Sequence, residues 1–135
     1  MGYFPYNVIV NEVVNINAYK AVFYKKAEGT EPAKLFLSSL DNKMRAKMTR
    51  TIDIFEARGT DLREPYSKHL DDGIFEFRAQ LGNNISRVLY FFIVGNRAIL
   101  THGFIKKTNK TPPEEIQKAK LYRTDYLSRK GESNE

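Results

Sequence analysis

Apolar residues recur at two periods along this 135-residue chain, and the changes of period mark its elements. Val8, Val10, Val14 and Ile16 share one face at strand spacing, interrupted by Glu12, although a short helix fits the same run. Residues 18–26 alternate more clearly, with Tyr19, Ala21, Phe23 and Lys25 against Ala18, Lys20, Val22 and Tyr24. They read as a strand that Glu28-Gly29-Thr30 ends. Pro32 then suits the first turn of a helix, where its missing N–H costs nothing, and Ala33, Phe36, Leu37 and Leu40 fall on one face. Asp41 can cap a second helix that runs to about Arg58, with Met44, Met48, Ile52 and Phe55 at helical spacing and Gly59 as the stop. The methionine stripe reads as core. So short a connection predicts an antiparallel helical hairpin.

Residues 60–72 read as loop. Three strands follow, Ile74–Leu81, Ile85–Val94 and Arg97–Phe104, joined by Gly82-Asn83-Asn84 and by a tight two-residue turn at Gly95-Asn96. Thr111-Pro112-Pro113-Glu114 then reads as a capped helix start, with Thr as the cap and Glu three residues later. Ile116, Ala119 (or Lys120), Arg123 and Leu127 lie along that helix, and the polar residues after it read as a frayed tail. The sum is an α+β fold: a small, mostly antiparallel sheet, an N-terminal two-helix hairpin packed on it, and a C-terminal helix. One face of the sheet is expected to be core and the other free. The expected organisation is an extension over residues 1–17, one domain over 18–130 and a tail over 131–135.

Composition removes several classes of function. With no cysteine there is neither a disulfide nor a thiolate zinc site. His69 and His102 lack metal-ligand spacing, so no cofactor is expected. No run approaches a membrane span, and the N-terminus lacks a signal-peptide pattern, which predicts a cytoplasmic protein with no membrane partner. The net charge is +6 and unevenly spread: residues 1–16 hold only Glu12, whereas Arg97–Lys130 hold nine Lys or Arg against three Asp or Glu. A basic end beside a sheet suits a polyanion. It equally suits a merely solvated surface.

The candidate chemistry sits on the three strands. Glu76 and Arg78 share a face, opposite Phe75 and Phe77, and Arg87 lies on the next strand in line with Leu89 and Phe91. Arginine offers a phosphate two parallel hydrogen bonds and stays charged. Arg78 paired with Glu76 or with a helix carboxylate is the bland alternative, and residue types leave both open. His102 precedes Gly103 and the cluster Lys106, Lys107 and Lys110. Near such charge it could serve as a neutral base, or it is a half-buried histidine bonded to backbone. Lys68 and His69 in the middle loop could face the same site. Tyr66, Tyr90, Tyr122 and Tyr126 offer rings for bases or for core, with Tyr122 on the helix after the lysines.

From Ala18 to about Arg129 the chain resembles the RelE/ParE superfamily of type II toxins, most closely its phage-derived HigB-like branch. The resemblance rests on Phe23-Tyr24, Glu31-Pro32, Phe36-Leu37, Leu40-Asp41, Leu70 and Gly73-Ile74-Phe75-Glu76-Phe77-Arg78. It continues through Arg87-Val88-Leu89-Tyr90, His102-Gly103-Phe104-Ile105-Lys106-Lys107, Lys110-Thr111-Pro112, Glu115-Ile116, Ala119 and Arg123. It implies a ribosome-dependent mRNA endonuclease, held inactive by a cognate antitoxin, that needs no metal and promotes attack of a ribose 2′-hydroxyl on the adjacent phosphate. By position it gives phosphate stabilisation to Arg78 and Arg87, with Lys106 matching the basic group after the last strand. His102 becomes the candidate base and Glu76 its rival. Lys68, Lys107, Lys110 and Tyr122 become RNA contacts. Residues 1–17 precede the usual family start. Two other readings fit the same fold: a non-nuclease inhibitor of DNA gyrase, as in the ParE branch, and an inactive basic RNA- or protein-binding module.

Overall fold

The computed structural model describes residues 19–133, so the apolar run Val8–Ile16 lies outside the described residues. In chain order come strand β1 (Lys20–Phe23), helices α1 (Pro32–Ser39) and α2 (Asn42–Arg58), and one 3-10 turn at Gly59–Asp61. Strands β2 (Ser67–Asp71), β3 (Ile74–Leu81), β4 (Asn84–Ile93) and β5 (Arg97–Lys106) follow, and helix α3 (Pro113–Ser133) ends the series. The strands form one five-stranded sheet in the order β1-β5-β4-β3-β2. Strands β2 to β5 run as an antiparallel meander, and β1 joins its far edge parallel to β5.

The fold is α+β, but its arrangement corrects the expected one. The sheet is mixed, because the two helices and the meander between β1 and β5 give the long crossover that a parallel neighbour requires. The N-terminal helices do not form a hairpin. Leu40 and Asp41 are both extended, with ψ 151° and 165°, and redirect the chain, so that α1 packs on β5 and α2 on β3 rather than on each other. Arg45 ties the junction by donating to the carbonyls of Leu37 at 3.0 Å and Leu40 at 2.7 Å. Asp41 caps α2 as expected, accepting from the Met44 N–H at 2.9 Å. The longest helix is the C-terminal one.

The expected loop over residues 60–72 contains β2. Its signal was the Asp72-Gly73 dipeptide: both residues have positive φ, 49° and 78°, the conformation of the tightest hairpin turns. Conversely, the turn between β4 and β5 takes three residues, Val94 to Asn96, not two.

Both faces of the sheet are covered, so neither is free. Towards α1 and α2 it buries Phe77, Val88, Tyr90, Ala98 and Leu100 against Met44, Met48, Ile52 and Phe55, which confirms the methionine stripe as core. Towards α3 it buries Ile74, Leu89, Phe91 and Ile99 against Ala119 and Tyr24. A bulge in β5 makes this division possible. Leu89 pairs with His102 but Tyr90 pairs with Leu100, which leaves Thr101 as an extra residue. Leu100 therefore faces the helical pair, while His102 faces α3.

Candidate functional site

Register puts the two strand arginines together. Arg78 of β3 lies directly opposite Arg87 of β4, and Glu76 shares their face. Glu76 is fully buried, and both of its oxygens are engaged: Oε2 accepts from Arg78 Nε at 2.6 Å, and Oε1 accepts from the Thr111 hydroxyl at 2.5 Å. Arg87 Nε lies 3.8 Å from the same Oε1. The carboxylate thus compensates two guanidinium groups whose mutual repulsion would otherwise oppose the register. The pairing of Arg78 with Glu76, the bland alternative from the sequence, is present, and it also orients the arginine.

Arg87 is fully buried beneath the Phe104 ring, 5.8 Å from guanidinium carbon to ring centroid. Its Nη2 donates to the Thr108 carbonyl, whereas Nε and Nη1 have no hydrogen-bond partner. Its pKa is lowered, first by burial and then by the neighbouring Arg78, with Glu76 opposing. Arginine begins so high that it remains cationic at neutral pH. Arg78 reaches the surface, its side chain 17% exposed, and donates to the Asn109 carbonyl. The segment between β5 and α3 therefore folds over the arginines. Two of its carbonyls occupy guanidinium donors, and Thr111 donates to Glu76 rather than capping α3, whose first turn closes on the Pro112 carbonyl instead.

His102 lies on the same face of the sheet, one strand further on, and is 3% exposed. Its Nε2 meets Glu115 Oε1 at 2.9 Å, and its Nδ1 lies 3.2 Å from Thr101 Oγ1. Burial lowers its pKa, with Glu115 pulling the other way. The ring donates from Nε2 to the carboxylate, while the Thr101 hydroxyl gives its own proton to the Leu89 carbonyl at 3.1 Å. The His102–Glu115 pair fastens the start of α3 to the sheet. Its partner Glu115 is the member that faces solvent.

Lys106 ends β5, and Lys106, Lys107 and Lys110 are exposed along the roof. Lys68 is exposed on β2 opposite Glu76 and so projects from the arginine face at the sheet edge. Tyr122 is not brought to the arginines. Its ring stacks on Tyr24 at 4.8 Å and meets His102 edge-on at 5.7 Å, inside the seam between α3 and the sheet. His69 stands beside Phe75 at 4.9 Å, and its Nε2 accepts from the Gly73 N–H at 3.3 Å. Sequence reading did not single out Glu115, the Thr111 hydroxyl or the roof carbonyls. The first two had a signal in their place just after the lysines, but carbonyl contacts leave none in residue types. Among the described residues no group of three His, Asp or Glu could hold a metal, and no helix is long and apolar enough to cross a membrane.

Residues 35–123 match the family described as Phage derived protein Gp49-like (DUF891). No curated protein matches the chain. The family match runs from α1 into α3 and contains the arginine pair, Glu76, His102 and the whole roof segment. Extending over about two thirds of the sequence, it identifies the chain as belonging to the Gp49-like family of phage-derived proteins, a type II toxin family related to the RelE-like toxins.

Proposed function

We propose that the protein is the toxin of a type II toxin–antitoxin pair, of the HigB-like kind, and that it cleaves mRNA on the ribosome. The observation that carries this reading is the Arg78–Arg87 pair. Like charges placed directly across neighbouring strands destabilise a sheet, and a buried guanidinium with unpaired donors adds to the cost. Such an arrangement is useful where a dianionic, crowded phosphate is to be stabilised. Family membership supplies the toxin context, and with it a cognate antitoxin that holds the toxin inactive.

In this reading a ribose 2′-oxygen forms a bond to the adjacent phosphorus, the bond to the 5′-oxygen breaks, and that oxygen takes a proton from water as it leaves. Arg78 and Lys106 stabilise the phosphate oxygens at the surface, and Arg87 supports them from below. Glu76 holds the two guanidinium groups side by side against their mutual repulsion. The 2′-hydroxyl proton passes to the His102–Glu115 pair through its solvent-facing carboxylate. Lys68, Lys107 and Lys110 guide the RNA backbone.

The test is tightly controlled expression with mapping of mRNA 5′ ends. Growth arrest with new ends inside translated codons is expected, and Arg78→Ala or Lys106→Ala should abolish both. Arrest that survives these substitutions removes the proposed site. Inhibition of DNA supercoiling without RNA cleavage would move the protein to the gyrase-inhibiting class.

A further inference from the structure

Arg78 also lines a second feature, a cleft of about 690 Å³ between α2 and the segment that leads into β2. Its walls carry Lys47, Arg50 and Arg58 from α2, Arg63 from the segment, and Arg78 from the sheet, against two carboxylates, Asp61 and Glu64. The α2 residues form one stripe, since positions 47, 50, 54 and 58 recur at helical spacing, and at 1.5 Å per residue the stripe is about 16 Å long. Among the described residues, the side chains of Lys47, Arg50, Arg58 and Arg63 make no hydrogen bond or ion pair. Tyr66 lies in the same cleft with half of its surface exposed, and its carbonyl accepts from the Arg78 N–H at 2.9 Å. Tyr66 is thus tied by its backbone to Arg78, at the edge of the candidate reaction centre.

We propose that this cleft is a second RNA subsite, which takes the single strand flanking the scissile bond, with phosphates along the α2 cations and Arg63 and one base on Tyr66. The inference rests on the RNA-cleaving reading above. Unpaired cations in a row suit a phosphate backbone, and an exposed aromatic ring among them suits a base, whose face every nucleotide offers. An acidic peptide would use the cations but has no need of the ring. The cleft also runs into Arg78, so one strand can occupy both places at once.

The experiment measures binding of a short, uncleavable, 2′-O-methylated, fluorescein-labelled single-stranded RNA to the purified full chain by anisotropy, over a range of salt. Arg50→Glu combined with Arg58→Glu should weaken binding at least about tenfold and reduce the salt slope by about 0.7 for each phosphate no longer neutralised. Tyr66→Ala should weaken it about tenfold and Tyr66→Phe should not. Lys43→Glu, on α2 but outside the cleft, should stay near wild type. All these positions are exposed, and a wild-type thermal melt verifies each variant's fold. Equal losses from Lys43→Glu, or wild-type affinity in the Arg50→Glu, Arg58→Glu chain, would overturn the subsite. So would an acidic peptide that binds the cleft where RNA does not. The two readings fail separately. RNA bound through these residues but never cut on ribosomes defeats the nuclease and leaves the subsite. Normal cutting by the doubly reversed variant defeats the subsite alone.

Discussion

Glu76→Gln isolates the electrostatics of the arginine pair, because it keeps the shape of the side chain and removes its charge. In the wild type the carboxylate accepts from Arg78 at 2.6 Å and stands 3.8 Å from Arg87 Nε, in a place without solvent. At such distances the attractions are about 4–6 kcal/mol each at an effective dielectric near 20. Desolvation offsets much of that, and breaking a buried pair from one side typically costs about 3–5 kcal/mol. We expect Glu76→Gln to lose about 3 kcal/mol in urea denaturation monitored by circular dichroism. The decisive arm is the double variant. Arg87→Met on its own leaves a carboxylate that still has Arg78 and Thr111. Added to Glu76→Gln, it removes the guanidinium that the first change stranded, and stability should recover by at least 1 kcal/mol. Strictly additive losses would refute the view that Glu76 exists to compensate both arginines. Inorganic phosphate gives a parallel check. It should stabilise Glu76→Gln more than wild type, because an external anion can replace the missing charge.

Three further outcomes follow from the same geometry. Gly103→Ala should cost about 1–3 kcal/mol in a thermal melt, since a Cβ there would collide with the Phe36 ring and stand 2.8 Å from the Arg87 carbonyl; an unchanged melting temperature would contradict the close seating of α1 on β5. His102 has a folded pKa below its ordinary 6.5, so the unfolded chain binds more protons as pH falls through that value. Stability is therefore full above about 6.5 and declines as pH falls towards the folded pKa, and His102→Gln should flatten this part of the profile; a wild type that gains stability on acidification from pH 7 to 6 would reverse the sign. Thr111→Val removes the donor to Glu76, and should cost about 1–2 kcal/mol and speed amide exchange across residues 107–111, with unchanged exchange counting against a roof held by that bond.

Periodicity made much of the core legible. The Met44–Phe55 stripe, the split of Phe77 from Arg78 and the alignment of Arg87 with Leu89 follow from side-chain direction alone, and the structure keeps them. Layer order was less accessible. The Leu40-Asp41 junction looked like a hairpin because a short connection normally brings helices together, but two extended residues are enough to aim them at different strands. The parallel edge strand was hidden because strand direction depends on the path of the crossover and not on any residue in β1. At the site, the arginines were readable as residue types, while their occupancy was not. A roof made from the carbonyls of Thr108 and Asn109 uses groups that every residue carries. Lys47, Arg50 and Arg58 drew no notice for a related reason, since cations on the polar stripe of a helix are ordinary until a second wall stands opposite them.

The extra residue at Thr101 gives β5 two independent phases. Upstream of it the strand's alternation is locked to the packing of α1 and α2, and downstream it is locked to the arginine face. Paired without a bulge, the same residues would put Leu100 and His102 on one face, so either the helical packing or the arginine face would be lost. Deleting Thr101 would instead leave Leu100 opposite Tyr90 and His102 opposite Leu89, and so keep both phases. The joint therefore works as a spare link, which lets the two halves of one strand count their residues independently.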